Sequence, residues 1–195
     1  MKQYSNQEIN DILLNGDEID LKHLALHAES LTYEQIVTGI SQTTKSPREF
    51  VARKELTESQ LASFMNHPYY SVRCAVSSRE DARSMQKVVL VALSKMEDMI
   101  IAEIVKDSTC LTNPHVKAIL AHCAERPRTS STEDILRNLI NNKSVRFSKE
   151  CIETGLTIDN ETSYPIFSSM YRRALAYEAS KQNIQDGAKR ERPKL

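Results

Sequence analysis

Apolar residues in this chain recur three and four positions apart, and short polar turns interrupt them at close intervals. This spacing places apolar side chains on one face of an α-helix. Three clear examples are Ile36 with Ile40, Leu61 with Met65, and Ile100 with Ile104. We therefore expect a succession of short amphipathic helices connected by tight turns.

One repeated phrase marks the starts of two of these helices. Leu31-Thr32-Tyr33-Glu34-Gln35-Ile36 returns 25 residues later as Leu56-Thr57-Glu58-Ser59-Gln60-Leu61. In each phrase the threonine hydroxyl can accept from the backbone N–H of the glutamine, whose side chain can reach back to the threonine N–H. The flanking aliphatic residues can close over this turn. Two such starts at this interval predict stacked helical repeats, each containing a pair of helices.

Capping signals predict the other helices. Tyr4-Ser5 with Glu8 opens the first helix, which we expect to end at Asn15-Gly16 with Gly16 in the left-handed conformation. The segment 111–116 restarts the repeated phrase, and Gly155-Leu156-Thr157 repeats part of it. Other expectations are a helix over 20–29, a short helix from Pro47 to Lys54, a polar loop over 126–132, and helices over 134–140 and 164–185.

The residues after the second phrase carry a family resemblance. Arg73 and Val76 lie 25 positions after Arg48 and Val51, and the segment His67-Pro68-Tyr69-Tyr70-Ser71-Val72-Arg73-Cys74-Ala75-Val76 resembles the turn and second helix of HEAT-like repeats. The 25-residue period is also similar to the variant leucine-rich repeat. The resemblance covers residues 32–107 and implies an α-solenoid that binds proteins and, in some members, nucleic acid. HEAT repeats usually place an Asp in the turn to bond an Arg of the neighbouring repeat, whereas this turn carries Asn66 and His67.

Composition agrees with a helical chain and limits the classes of partner. Lys and Arg total 26, as do Asp and Glu, so the net charge is zero and offers no general attraction for nucleic acid or an anionic membrane. Four Gly, six Pro and no Trp disfavour an all-β sandwich. We predict an all-α fold, a stack of short antiparallel helix pairs with a C-terminal capping helix. It forms one domain over 1–185, followed by a disordered basic tail over 186–195.

The cysteines and the N-terminal residues indicate a cytoplasmic protein. Cys74, Cys110, Cys123 and Cys151 stand singly inside helical patterns, without a CxxC pair, which is typical of reduced thiols. The first seven residues are polar where a signal peptide becomes apolar, and the longest apolar run, 88–93, is too short to cross a bilayer. We expect neither export nor membrane insertion.

Several basic residues fall on the expected second helices or beside them, where a stack would align them along one face. They are Arg48, Arg53, Lys54, Arg73, Arg79, Arg83, Lys106 and Arg146. Such a stripe would suit a phosphate backbone, with Arg48, Arg73, Arg79 and Lys106 as its contacts. The same cations can instead pair with Glu49, Glu55, Glu80, Asp81 and Glu103 on an ordinary solvated surface. The neutral net charge favours this second interpretation.

Two adjacent tyrosines, Tyr69 and Tyr70, stand in the turn between two expected helices, where both cannot easily be buried. One of them can anchor a protein partner beside Arg73, as exposed tyrosines often do at interfaces. The alternative is one ring packed on the next repeat and one lying along the surface.

No residue pattern indicates catalysis, a cofactor or a metal. His23 and His27 are four apart on one helix, but Leu24 stands where a zinc peptidase needs its Glu. His115 and His122 share a face that Cys123 does not, and the Ser and Thr residues cluster at caps and turns. We therefore expect a non-enzymatic protein-binding module that regulates or inhibits its partner. Nucleic-acid binding is the alternative, and catalysis would need residues brought together only by folding.

Overall fold

The structure is a computed structural model that describes residues 3–43, 47–126 and 129–160, and in these residues the regular elements are helices. Their bounds are α1 Asn6–Asn15, α2 Glu18–His27, α3 Tyr33–Gln42, α4 Pro47–Val51, α5 Glu58–Met65, α6 Tyr70–Ser77, α7 Gln86–Lys95, α8 Asp98–Asp107, α9 Asn113–Ala124, α10 Ser130–Asn141 and α11 Lys149–Asn160. A short 3₁₀ helix, Ala82–Ser84, lies between α6 and α7. The all-α prediction is confirmed. The predicted closing helix over 164–185 and the basic tail lie outside the described residues.

The repeated phrase forms the helix starts that its residues predict. The Gln35 N–H donates to Thr32 Oγ1 at 3.2 Å, and the Thr32 N–H donates to Gln35 Oε1 at 2.9 Å. The Thr57 phrase forms the same pair of bonds, and so does Ser5 with Glu8. Loss of one such cap costs about 1 kcal/mol.

Other local predictions were wrong. Gly16 has φ −70°, not a left-handed value, because the chain enters the next cap at once: the Asp17 carboxylate accepts from the N–H groups of Ile19 and Asp20 and starts α2 early. The predicted loop over 126–132 ends at Thr129, since Thr129 and Thr132 form a capping box for α10. The phrase at 155–157 lies inside α11.

The chain divides into two compact units, Met1–Thr112 with Thr129–Val145, and Asn113–Arg128 with Arg146–Leu195. In the first unit the even-numbered helices contact one another in order, α2 with α4, α4 with α6, α6 with α8, and α8 with α10. Helix α1 packs on α2 and α3, and α3 packs on α4. Helix α5 packs on α6 and α7, and α7 also packs on α8. The core therefore runs between successive helices. Its largest fully buried side chains include Phe50, Leu24, Ile36, Ile40, Leu61, Met65, Ile100, Ile101 and Ile104.

A close approach of α3 and α4 occurs at Gly39. A Cβ atom at this position would lie 2.4 Å from the ring of Phe50, which is completely buried. Glycine is therefore required here by space and not by backbone conformation.

In the second unit α9 packs on α11. Val116, Ile119, Leu120 and Cys123 are buried on α9, and Cys151 and Ile158 are buried on α11. Lys117 of α9 forms a surface ion pair with Glu150 of α11 at 2.5 Å. Among all the described residues, no helix is long and apolar enough to cross a membrane.

Candidate functional site

The two adjacent tyrosines stand where α5 gives way to α6. Helix α5 closes at Asn66 and His67, whose N–H groups donate to Ser63 O and Phe64 O, each at 3.0 Å. Tyr69 is the N-cap residue of α6 and has an extended backbone. The Tyr69 N–H donates to His67 Nδ1 at 3.2 Å, so the histidine side chain shapes the turn.

Both tyrosine side chains are exposed, Tyr69 by 59% and Tyr70 by 46%. Each ring nevertheless rests on another side chain. The rings of His67 and Tyr69 have centroids 5.2 Å apart, and the Arg73 guanidinium lies 5.5 Å from the centroid of Tyr70, in the range of a cation–π contact. These supports reduce the number of positions that the rings can take in the free protein. We call Tyr69, Tyr70, Arg73 and His67 the tyrosine surface.

Arg73 is held by four hydrogen bonds. Its Nε and Nη2 atoms donate to the two carboxylate oxygens of Glu97 at 3.0 and 2.7 Å, and its Nη1 atom donates to His67 O and Pro68 O at 2.6 and 2.9 Å. Glu97 is the N-cap residue of α8, so this planar pairing connects the turn to the start of α8. The positive charge of Arg73 is therefore matched by a carboxylate within the protein.

The surroundings of Tyr70 and His67 favour the uncharged form of each side chain. Partial burial, a hydrogen bond with Cys74 and the nearby Glu97 carboxylate raise the pKa of Tyr70 to about 12. Burial also raises the pKa of the Cys74 thiol. Burial and then the charge of Arg73 lower the pKa of His67. Tyr70 thus stays a hydroxyl and His67 favours the neutral imidazole, so this part of the surface is polar without net charge.

A cavity of about 430 Å³ borders the tyrosine surface. It is lined by the end of α3, with Ser41 and Thr43, and by the turn and first residues of α6, Pro68, Tyr69, Tyr70, Ser71 and Val72. Its walls combine aromatic rings, a proline and hydroxyl groups, a combination suited to a side chain of a bound protein.

The four residues of the predicted nucleic-acid contact fall into two classes. Arg48 and Lys106 are exposed. Arg73 is paired with Glu97, and Arg79 is half-buried and donates to both carboxylate oxygens of Asp81 at 2.9 and 2.6 Å. Two of the four cations are therefore held by carboxylates of the chain itself.

A role that the sequence did not reveal is the capping of helix C-termini by side chains from elsewhere in the first unit. The last carbonyl groups of an α-helix have no partner within the helix and need donors. Arg53 donates to Ala25 O and Ala28 O at 3.0 and 2.9 Å, at the end of α2. Arg79 donates to Val51 O and Arg53 O at 2.6 and 2.8 Å, at the end of α4.

Two further even-numbered helices end on side-chain donors, of which Arg83 lies only six residues beyond its acceptor. Arg83 is buried and donates to Ser77 O at the end of α6, and it is held by Glu103 and Asp107 of α8 at 2.6 and 2.8 Å. Asn142, which follows α10, donates to Val105 O and Ser108 O at the end of α8, at 2.9 and 2.8 Å. We call Arg53, Arg79, Arg83 and Asn142 the capping side chains.

Two of the capping arginines each form hydrogen bonds with a carboxylate two positions further along the chain. Glu55 bonds Arg53, and Asp81 bonds Arg79. Burial acts to raise the pKa of Glu55, but hydrogen bonds from Arg53 and from the backbone, together with the Arg53 charge, outweigh it, so the pKa is lowered. Hydrogen bonds from Arg79 likewise lower the pKa of Asp81. The sequence signal that could have identified these two capping arginines is an acidic residue two positions after the arginine, at 53–55 and again at 79–81. Arg53 and Arg83 are buried, and they do not belong to a solvated surface as the charge pattern indicated.

The remaining candidate residues have structural partners or lie in helix caps. The rings of His23 and His27 are tilted against each other with centroids 4.4 Å apart, and the Tyr4 hydroxyl lies 2.8 Å from His23 Nδ1. Among the described residues, no three His, Cys, Asp or Glu side chains are placed to hold a metal ion, and no buried side-chain nitrogen or oxygen lacks a hydrogen-bond partner. All four cysteines are free thiols.

Comparison with known proteins does not assign the chain to a family. No protein-family model matches the chain, and no curated protein or solved structure is significantly similar to it.

Proposed function

We propose that the first unit is a HEAT-like α-solenoid, a right-handed stack of antiparallel helix pairs, and that the protein works as a cytoplasmic scaffold for another protein. The ordered contacts from α2 through α4, α6 and α8 to α10 support the stack. So do the capping side chains, because Arg53 and Arg79 each bond carbonyl groups between 24 and 28 residues earlier, about one repeat. The free thiols agree with a reducing compartment.

The binding site that we propose is the tyrosine surface, and the observation that carries the proposal is the bracing of two exposed aromatic rings. An exposed tyrosine ring normally samples several positions, and ordering it on binding costs free energy. Here the rings rest on His67 and on Arg73, which is itself fixed by four hydrogen bonds. Aromatic rings already held in place are the typical anchors of protein interfaces, where each buries about 150–250 Å².

The composition of the surroundings agrees with a protein partner. The neighbouring cavity of about 430 Å³ offers Pro68 and hydroxyl groups rather than a concentration of cations. An apolar or aromatic side chain of the partner would enter this cavity, while the exposed tyrosine side chains would form hydrogen bonds at its edge.

Nucleic-acid binding stays a prediction that these contacts do not favour. A phosphate contact releases counterions only if the cation is available to it. Arg73 and Arg79 already bond Glu97 and Asp81, so a phosphate would have to compete with a carboxylate at each. Arg48 and Lys106 are the exposed members of the set.

The experiment compares proteins captured from lysates of the source cells by the wild-type chain and by a Tyr69→Ala/Tyr70→Ala variant, with quantification by mass spectrometry. The matched control is Leu90→Ala/Met99→Ala, which removes two exposed apolar side chains of α7 and α8. Circular dichroism establishes that both variants are folded. We expect at least one protein to be lost only with the tyrosine variant and then to bind the purified wild-type chain in a calorimeter.

Two results would change the conclusion. Identical capture by all three proteins would remove the tyrosine surface as the binding site. Saturable binding of a fluorescent DNA or RNA duplex that weakens steeply with salt, and that is lost in Arg48→Gln/Lys106→Gln, would establish nucleic acid as the partner instead.

A further inference from the structure

The turn before α6 contains a hydrogen bond that depends on the protonation state of a side chain. The Tyr69 N–H donates to His67 Nδ1 at 3.2 Å. A backbone N–H is always a donor, so His67 Nδ1 has to be the unprotonated nitrogen of a neutral imidazole. In the imidazolium both ring nitrogens carry hydrogen, so the Tyr69 N–H would face a second donor. The bond therefore forms in only one charge state of His67.

This hydrogen bond helps to position the side chain of Tyr69. The Tyr69 backbone is extended at the N-cap of α6, and the centroid of its ring lies 5.2 Å from that of the His67 ring. His67 thus contacts Tyr69 both at its backbone N–H and at its ring. Because the Tyr69 side chain is 59% exposed, loss of the N–H contact would leave its ring more positions to sample, and ordering it on binding would cost more free energy.

The surroundings of His67 oppose its protonation. Arg73 Nη1 donates to His67 O at 2.6 Å, which fixes a positive charge beside the residue. Burial, and then the charge of Arg73, lower the pKa of His67. Two carboxylates lie on elements that border the turn, and each already accepts hydrogen bonds: Glu97 from Arg73, and Glu18 from Thr43 at the end of α3. The turn therefore favours the neutral imidazole.

The other titratable groups near the turn do not reverse this preference. Tyr70 and Cys74 of α6 both have raised pKa values, so both are uncharged in the range where His67 titrates. Lys95 ends α7, which packs on α5, and its positive charge acts in the same direction as that of Arg73. A proton consequently enters His67 only as the pH falls below 6.5, the ordinary pKa of histidine.

We propose that His67 is a proton-sensitive switch of the tyrosine surface: the neutral imidazole holds Tyr69 for binding, and the imidazolium releases it and weakens attachment of the protein partner. The ordered turn binds fewer protons than the released turn. Its stability is therefore fully present above pH 6.5 and is lost as the pH falls through the lower pKa that His67 has in the ordered turn. The regulatory part of this proposal rests on the binding function proposed above.

Nuclear magnetic resonance of the isotope-labelled full-length chain tests the switch without a partner. The pH is lowered from about 7.5 to about 4.5 while the signals of the His67 ring, the Tyr69 amide and the Tyr69 ring protons are followed. We expect all three to change with one midpoint, below pH 6.5. The protection of the Tyr69 amide against hydrogen exchange should fall about five-fold or more across this midpoint, because one hydrogen bond is lost.

His67→Asn is the matched variant, because an asparagine side-chain oxygen can accept from the N–H two residues further on and does not titrate. Its Tyr69 amide should stay protected through the whole range. His23→Asn, on α2, removes another imidazole and should leave the wild-type transition in place. In the capture experiment, proteins that depend on Tyr69 and Tyr70 at neutral pH should be lost by the wild type at about pH 5 and retained by His67→Asn.

Three results would overturn the switch. One is a Tyr69 amide that stays unchanged while the His67 ring titrates. Another is a His67 pKa at or above 6.5, which would mean that attraction of the imidazolium to the Tyr69 ring exceeds the effects of burial and Arg73. The third is equal loss of captured proteins by the wild type and His67→Asn at about pH 5, which would assign the pH effect to another group.

Failure of the binding function has a different signature. If no captured protein depended on Tyr69 and Tyr70 at neutral pH, the binding function and its regulation would both be overturned. The resonance titration would still decide whether protonation of His67 releases Tyr69 in the free protein.

Discussion

Replacing Arg53 by methionine tests whether the capping side chains stabilise the protein. Arg53 is buried, and its guanidinium donates to the carbonyl oxygens of Ala25, Ala28 and Glu29 at 3.0, 2.9 and 3.3 Å. Methionine has a similar length and no donor. The substitution therefore removes the hydrogen bonds at the end of α2 while keeping most of the buried volume.

The expected loss of stability follows from these contacts. A buried carbonyl left without a donor costs about 1–3 kcal/mol, and the bonds to Ala25 O and Ala28 O are buried. The ion pair with Glu55 is partly exposed, so its loss adds about 1 kcal/mol at most. Methionine avoids the cost of burying a charge, which offsets part of this. We expect Arg53→Met to lower the free energy of unfolding by about 3 kcal/mol.

Urea unfolding followed by circular dichroism measures this loss, and amide exchange at the end of α2 shows where it arises. The control is Arg48→Met, an exposed arginine on the adjoining helix, which should change the free energy by about 0.5 kcal/mol or less. Arg53→Lys should fall between them, because an ammonium group cannot reproduce the planar set of donors. If Arg53→Met and Arg48→Met proved equally stable, the carbonyl capping would not contribute and the reasoning would be refuted.

Three further predictions concern packing and titration. Gly39→Ala should destabilise the protein by about 1–2 kcal/mol in urea unfolding, because overlap with the Phe50 ring outweighs the gain in helix propensity; Ser41→Ala, exposed on the same helix, should not. Because the pKa of Asp81 is lowered in the folded protein, its carboxylate stabilises the fold at pH values above its ordinary pKa of 3.8, and this stability is lost as the pH falls through the lower folded pKa. Asp81→Asn should therefore make the free energy of unfolding depend less on pH in that acid range, and parallel curves for the two proteins would contradict this. Because the pKa of Tyr70 is raised in the folded protein, the free energy of unfolding should fall as the pH rises from 10.0 to about 12. Tyr70→Phe should remove this part of the fall, and an unchanged slope of the free energy against pH would show that Tyr70 does not titrate this way.

Features that depend on neighbours in sequence could be predicted from sequence. The Thr32 and Thr57 caps each use a glutamine three residues on, so one short phrase contains both partners. The burial of Leu31 and Leu56 before these caps follows from the same phrase. Gly16 shows the limit, because the cap that begins at Asp17 sets its backbone and the glycine alone did not reveal it.

Features that depend on distant partners could not be predicted. The exposed tyrosine pair was visible as a hypothesis, but the bracing of Tyr70 needs Glu97, which holds Arg73 from 24 residues away. Arg53 looked like a surface cation because its acceptors are backbone carbonyl groups between 24 and 28 residues earlier, and any residue type can supply a carbonyl. Sequence patterns record side chains, so a contact between a side chain and a distant backbone leaves almost no trace in them.

The capping side chains also imply an order in which the ends of the helices are completed. Arg53 follows α4 but finishes the end of α2, Arg79 follows α6 but finishes the end of α4, and Asn142 follows α10 but finishes the end of α8. During synthesis from the N-terminus, each of these helix ends therefore waits for a residue that has not yet been made. Helices α2, α4 and α8 would therefore each lack these side-chain caps until the next even-numbered helix has been made.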